Sequence, residues 1–328
     1  MVRRTPTVRR GGSSYSVTSG GLESEEKLPT QEIKLGPADR PLRILLPPGV
    51  GDIHWVLLRL RGLLKATGND RCRPIVSVCS SDPAYDRSEA FVRMVPWVTF
   101  GGYLDLRPKR MHSYSERAFF NGKIFTDLPG FDLFLSVNKH VEQGMAFDAI
   151  LPQAGPTDWD YPFEPDPVIY PVDGKFILAT FYRQSFYKEW WDKYDPQLYL
   201  SAVCKELDDR GRPHQVLLVG AAWDAQILSE LAGVHTRVKS IAGDTSFRQL
   251  VWLKRQASAF IGHPSGSGML AQHIGCPTIL LWGDWWQFTP GMRHNWAHPK
   301  MLEQRLYRAL SVSDAPKVIA DNLIEILR

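Results

Sequence analysis

The stretch from Ile261 to Thr278 constrains this chain more than any other. It reads Ile-Gly-His-Pro-Ser-Gly-Ser-Gly-Met-Leu-Ala-Gln-His-Ile-Gly-Cys-Pro-Thr. The order is a strand end, a loop of small residues, a helix, and the entry to a second apolar strand, Thr278–Trp282. Strand–helix–strand order at this spacing points to a parallel sheet with the helix as crossover. The loop adds a second property. Ser and Gly opening a helix leave backbone N–H groups and two hydroxyls at the positive end of its dipole, which suits a phosphate or diphosphate. The plainer alternative is an ordinary turn with a helix cap.

The same alternation recurs along the chain. Leu42–Pro47 reads as a strand and Pro48–Asp52 as a turn. From Ile53 to Leu64 the apolar residues Val56, Leu57, Leu60, Leu63 and Leu64 recur at helical spacing. Pro74–Cys79 is a strand, Glu89–Met94 a short helix, and Phe131–Val137 a further strand. After these, Pro152, Pro156, Pro162, Pro165, Pro167 and Pro171 crowd residues 151–173, the pattern of a linker. A second alternation then begins: strand Lys175–Phe181, helix Tyr199–Arg210, strand Gln215–Val219, helix Ala225–Ala232. Helix Ser246–Gln256 follows, with Asp244 or Thr245 as its expected cap, and Lys317–Leu327 forms a last helix. The expected fold class is α/β, with two Rossmann-like, doubly wound parallel-sheet domains facing a cleft. The expected divisions are a polar tail 1–40, a first domain 41–150, a linker 151–173 and a second domain 174–328.

Composition narrows the function classes. At 328 residues and 44% hydrophobic, the chain has enough apolar material for two cores. No apolar run approaches the ~20 residues of a membrane span, and no secretory leader is evident, so a cytoplasmic protein is expected. The four cysteines, Cys72, Cys79, Cys204 and Cys276, lack CxxC spacing and read as free thiols. Residues 1–40 hold seven Lys/Arg and five acids, leaving the folded part nearly balanced; this argues against a broad nucleic-acid surface. Four arginines in the first ten residues offer a contact to an anionic partner, although a solvated tail is the simpler reading. No HExxH, CxxC or Walker loop is present. Asp158-Trp159-Asp160 spells DxD but falls in the linker, so no metal is expected.

Several residues carry candidate chemistry. Asp224 follows strand Gln215–Val219 at a position that binds nucleotides in open α/β sheets, where a carboxylate accepts from ribose hydroxyls; capping the next helix is the alternative. Arg183 suits a phosphate through bidentate hydrogen bonds. Trp282–Phe288 and His294–Trp296 mix aromatic and polar groups that stack on sugars or bases, or else pack as an ordinary surface loop.

Four segments together bear a resemblance: Leu45-Leu46-Pro47-Pro48-Gly49-Val50-Gly51-Asp52, Lys188-Glu189-Trp190, Val219–Asp224, and Ile261–Thr278 with its exit to Gly283. In this order they resemble the heptosyltransferase-type glycosyltransferases of family 9, which have the two-domain GT-B fold. Pro-Gly-Val-Gly-Asp-Ile-His-Trp is most similar to members found in bacteriophage genomes. The resemblance implies an inverting, metal-independent transfer of a sugar from a nucleotide diphosphate donor, ADP-linked in the family. Asp52 would be the base that takes the acceptor proton, with helix capping as its alternative. Lys188 would stabilise charge on the leaving diphosphate, with Arg183 a second candidate. Asp224 and Ser265, Gly266, Ser267 and Gly268 would hold the donor. Gly51 and His54 would border the acceptor with Trp55 beside them; the alternative is Trp55 in the core and His54 at the surface. The acceptor would be a surface glycan, modified DNA or a protein. One departure stands out: Pro264 and Met269 occupy places where the family has an acid and a histidine. That departure favours the rival reading, a non-catalytic binding or virion-associated protein that keeps the fold.

Overall fold

The structure is a computed structural model that describes residues 33–80, 87–105, 124–126, 128–137, 140–141, 144–168, 174–180, 195–282 and 297–327. Two sheets organise it. The first has five strands: β1 (Arg43–Leu46), β2 (Ile75–Ser80), β3 (Thr99–Asp105), β4 (Ile124–Phe125) and β5 (Leu133–Leu135), in the order β3-β2-β1-β5-β4. All pairings are parallel except β4 with β5. The second has six strands, all parallel: β6 (Phe176–Thr180), β7 (Gln215–Leu218), β8 (Val238–Ser240), β9 (Ala259–Gly262), β10 (Thr278–Trp282) and β11 (Tyr307–Ser311). Their order is β11-β10-β9-β6-β7-β8, the doubly wound arrangement whose direction reverses between β6 and β9. Central strands are buried along their length, as continuous apolar runs require when helices cover both faces.

The crossovers are α1 (Val50–Ala66), α2 (Ser88–Val92), α3 (Pro196–Asp209), α4 (Ala225–Ala232), α5 (Phe247–Gln256), α6 (Gly266–His273), α7 (Pro299–Glu303) and α8 (Pro316–Ile326). Alternate strand residues divide between two cores. Ile44, Leu46, Leu178, Phe260 and Leu280 join one continuous apolar cluster with α1, α5 and α6 that lies between the sheets. Ile177, Val216, Ile261 and Leu281 face the other way, onto α3, α4 and α8.

Two expected helix starts need correction. The turn before α1 is shorter than expected: the helix begins at Val50 with Gly49 as its cap residue, so Asp52 sits inside the first turn and does not cap it. Gly49 adopts φ 97°, a conformation that glycine alone enters without strain, and this lets the helix start so soon after β1. Helix α5 is capped by Ser246, whose hydroxyl accepts from Gln249 N while the Gln249 side chain returns the bond, a reciprocal box that neither Asp244 nor Thr245 provides. Strands β3, β4, β8 and β11 and helix α7 are additional elements, from two to seven residues long.

The proline-rich segment is partly core. Leu151, Ala154, Tyr161 and Phe163 are buried in the cluster between the sheets. Arg59 of α1 fastens the segment: its buried guanidinium donates to the carbonyls of Ile150 and Leu151, each at 2.9 Å, and to Thr157 Oγ1. The end of the tail is docked as well. Gln153 pairs with both backbone groups of Ile33, and the Asn69 side chain bonds Ala38 N and Gly36 O.

Candidate functional site

Each sheet has a point where strand order reverses next to its first strand, and a ligand crevice opens there at the carboxyl ends of the strands. In the first sheet the point lies between β1 and β5, where β1 runs through Pro47–Gly49 into α1. In the second it lies between β6 and β9, where β9 runs through His263–Ser265 into α6. The two helix starts meet. A β-carbon on Gly266 would lie 2.7 Å from Gly51 N and 2.9 Å from Val50 Cβ, and one on Gly51 would lie 3.5 Å from Gly266 N. At Gly266 only glycine permits that approach.

Neither helix start carries a side-chain cap. Two positive dipole ends therefore come together, with first-turn N–H groups that have no intrahelical acceptor. Around them stand small hydroxyl groups. Ser267 Oγ and Thr180 Oγ1 are buried without a hydrogen-bond partner. Thr180 ends β6 beside the end of β9, its hydroxyl 2.0 Å from where a β-carbon on Gly262 would be. Sequence reading passed over Thr180; the signal was a hydroxyl closing an otherwise apolar strand.

The other expected site residues fall in different places. Asp52 lies half-buried in the first turn of α1, its Oδ2 3.1 Å from the β-carbon position of Gly49. Asp224 is buried beyond β7, where its Oδ2 accepts from Ala221 N at 2.9 Å. It closes its own turn and makes no side-chain cap to α4. His263 is buried at the end of β9, and Met269 places its sulfur 3.5 Å from the β-carbon position of Gly51. Arg183, Lys188 and the aromatic run from Gly283 to Trp296 lie outside the described residues.

His54 is not at the surface. It is 2% exposed and its Nδ1 lies 2.6 Å from the Tyr161 hydroxyl. Its ring also meets His273 edge-on at 5.2 Å. His273 Nε2 bonds the Tyr161 carbonyl, and His298 lies beyond it. This histidine and aromatic cluster joins α1, the proline-rich segment, α6 and the start of α7. Burial holds all three imidazoles below their usual range, His273 down to about 4. Trp55 and Trp282 are likewise core residues. The cysteines are free, with Cys79, Cys204 and Cys276 buried.

Asp158 and Asp160 pair with Arg61 and Lys300. Among the described residues no His, Cys, Asp or Glu cluster suits a metal ion, and no helix is long and apolar enough to cross a membrane. A cavity of about 850 Å³ beside the C-terminal half of α1, lined by Arg61, Lys65, Arg73 and Trp97, shares no residue with the two helix starts.

No protein-family model and no curated protein sequence matches the chain. Solved structures do. The Escherichia coli ADP-heptose lipopolysaccharide heptosyltransferase II matches with a TM-score of 0.53 at 15% identity, over 88% of this chain and 98% of that one. A glycosyl transferase family 9 protein from Veillonella parvula matches at 0.53 and 12% identity, over 87% and 97%. A putative UDP-N-acetylglucosamine 2-epimerase from Listeria monocytogenes matches at 0.51 and 11% identity, over 88% of each chain. The fold is GT-B-like. Agreement across nearly the whole of each chain, with two sheets meeting at their reversal points, confirms the expected architecture. Identities of this size speak to fold alone.

Proposed function

We propose that the chain is a divergent family 9 glycosyltransferase that moves a sugar from a nucleotide diphosphate donor to an acceptor hydroxyl, with inversion and without a metal. One observation carries the reading: the starts of α1 and α6 meet through Gly51 and Gly266 at the reversal points of both sheets. A donor diphosphate on the Ser265–Gly268 loop would then lie directly beside the first turn of α1, which carries Asp52. The loop's N–H groups, Ser267 Oγ and Thr180 Oγ1 suit phosphate oxygens. Asp52 would take the acceptor proton as the anomeric carbon is attacked, and Lys188 or Arg183 would face the leaving diphosphate. Asp224 would accept from the ribose hydroxyls through Oδ1 while Oδ2 holds Ala221 N. An ADP-linked donor is favoured by the heptosyltransferase likeness.

The first test is thermal shift and calorimetry with ADP, UDP and GDP. Stabilisation by one of them is expected; none by any would sink the reading. Asp52→Asn should then abolish transfer, a loss of about 10²-fold or more, while leaving nucleotide affinity within about twofold. Unchanged transfer would remove Asp52 as the base.

A second reading, a binding protein without turnover, is favoured by Met269. It sets a thioether beside Gly51, where the resemblance has a protic histidine. Nucleotide binding without transfer to any acceptor class would establish it.

A further inference from the structure

We infer that Lys254 is the buried counter-charge of the Ser265–Gly268 loop, and that it takes up a proton when a diphosphate anion binds there. The inference rests on the donor-site reading above and adds a residue that neither the sequence pattern nor the resemblance singled out.

Lys254 is 0% exposed, in the last turn of α5, and its Nζ has no hydrogen-bond partner. A buried ammonium without a partner is strongly disfavoured, and such groups respond by shedding their proton. The titratable neighbours do not relieve it. Cys276 across the core is a thiol that burial pushes up to about 12, so it carries no charge near neutrality. Arg87, at the start of α2 in the other half, opposes the lysine's charge. Burial, more than these two groups, brings the Lys254 ammonium down to about 7. A modest change in local potential therefore decides whether it is charged.

The geometry says where that potential arises. Lys254 Nζ lies over the Phe260 ring, 5.2 Å from its centre. The same ring also lies against the loop and the strand before it: Phe260 Cε1 is 3.5 Å from the β-carbon position of Gly268, and Cζ is 3.2 Å from that of Gly262. One aromatic ring thus separates the ammonium from the loop, at no more than about 10 Å, and the space between is core where screening is weak. A diphosphate on the loop would raise the lysine's proton affinity. By reciprocity the charged lysine would raise the anion's affinity. Lys254 touches no ligand; it acts through Phe260 as a positioning charge.

Calorimetry of ADP binding at pH 8, in two buffers of different ionisation enthalpy, tests this. At that pH the wild type should take up on the order of half a proton per ADP bound. Lys254→Met should take up none; its affinity should be about tenfold weaker at pH 7 and equal to the wild type's at pH 10, where the lysine is neutral. ADP binding with no proton uptake by the wild type would overturn the inference and leave the donor site standing. Equal uptake by Lys254→Met would overturn it too. No binding of ADP, UDP or GDP would overturn the donor site and the inference together. A thermal-shift series on the wild type from pH 6.5 to 9.5, with and without ADP, gives the same linkage if the variant does not fold. The ADP-induced shift should shrink as pH rises, and a constant shift counts against the inference.

Discussion

Gly266 and Gly51 show how a single missing side chain builds the site. A β-carbon at Gly266 would drive the two halves apart, since it would lie only 2.7 Å from Gly51 N, whereas one at Gly51 would meet nothing closer than 3.5 Å. Gly266→Ala should therefore weaken nucleotide affinity by about tenfold or more while costing roughly 1–3 kcal/mol of stability, measured by calorimetry and by urea unfolding. Arg59 makes the opposite case, a long side chain whose removal is felt. Its guanidinium donates to two backbone carbonyls in the core, and Arg59→Leu would strand that of Ile150, while that of Leu151 keeps its bond from Ala154 N. A loss of about 2–4 kcal/mol in urea unfolding is expected, from the stranded Ile150 carbonyl and the hydrogen bonds lost at Leu151 and Thr157. Its ion pair with Asp148 adds little, because that carboxylate is 72% exposed. Nothing in the local pattern distinguishes Arg59 from a solvated arginine. Its carbonyl partners are 91 and 92 residues away.

At the level of elements, α5 contains a signal that sequence reading overlooked. Phe247, Leu250, Val251 and Lys254 follow the spacing of one helix face, so the lysine was placed on the apolar side by periodicity alone. Its neighbours Leu250, Val251 and Leu253 are buried with it. The pH consequence has a definite sign. The folded state holds the Lys254 proton less tightly than the unfolded chain does. Between about pH 7 and pH 10.5 the unfolded chain therefore binds more protons, and this lysine makes stability rise with pH across that window. Lys254→Met should flatten the rise and leave the protein more stable at pH 7, read from urea midpoints at pH 7 and 10. The first turn of α1 is a further case where element geometry outran the pattern. The helix absorbed Gly51 and Asp52 because Gly49 supplied the left-handed turn, so the capping role weighed for Asp52 does not arise.

For the whole molecule, the histidine cluster joins the halves. His54, His273 and His298 are held below their ordinary values chiefly by burial. The unfolded chain takes up protons first as pH falls below about 6.5, so these three groups withdraw stability between about pH 6.5 and 4. Asp160, 3.8 Å from His298, tempers the effect at one edge of the cluster. Because the rings span α1, the proline-rich segment, α6 and α7, loosening between the halves should precede global unfolding. Acid titration followed by tryptophan fluorescence and by small-angle scattering should show it, with His273→Phe shifting the transition to lower pH. A single transition at unchanged pH in that variant would remove the cluster from this role.

The sequence by itself determined the alternation of strands and helices, hence two sheets that are parallel apart from the β4 edge. It also marked the glycines that bring two helix starts to the strand ends. These are local properties: apolar periodicity, and the conformational freedom of glycine, both written in a few neighbouring residues. Short edge elements such as β8 and β11 escaped because three to five residues carry too little pattern. Tertiary structure alone decided that His54 is buried and that Asp224 closes its own turn. It also decided that the proline-rich segment is core at Tyr161 and Phe163, and that Lys254 lies one ring beneath the loop. Each of these depends on which distant residue arrives beside it, and burial, which sets the charge of Lys254 and of the three histidines, exists only once the two halves have packed together.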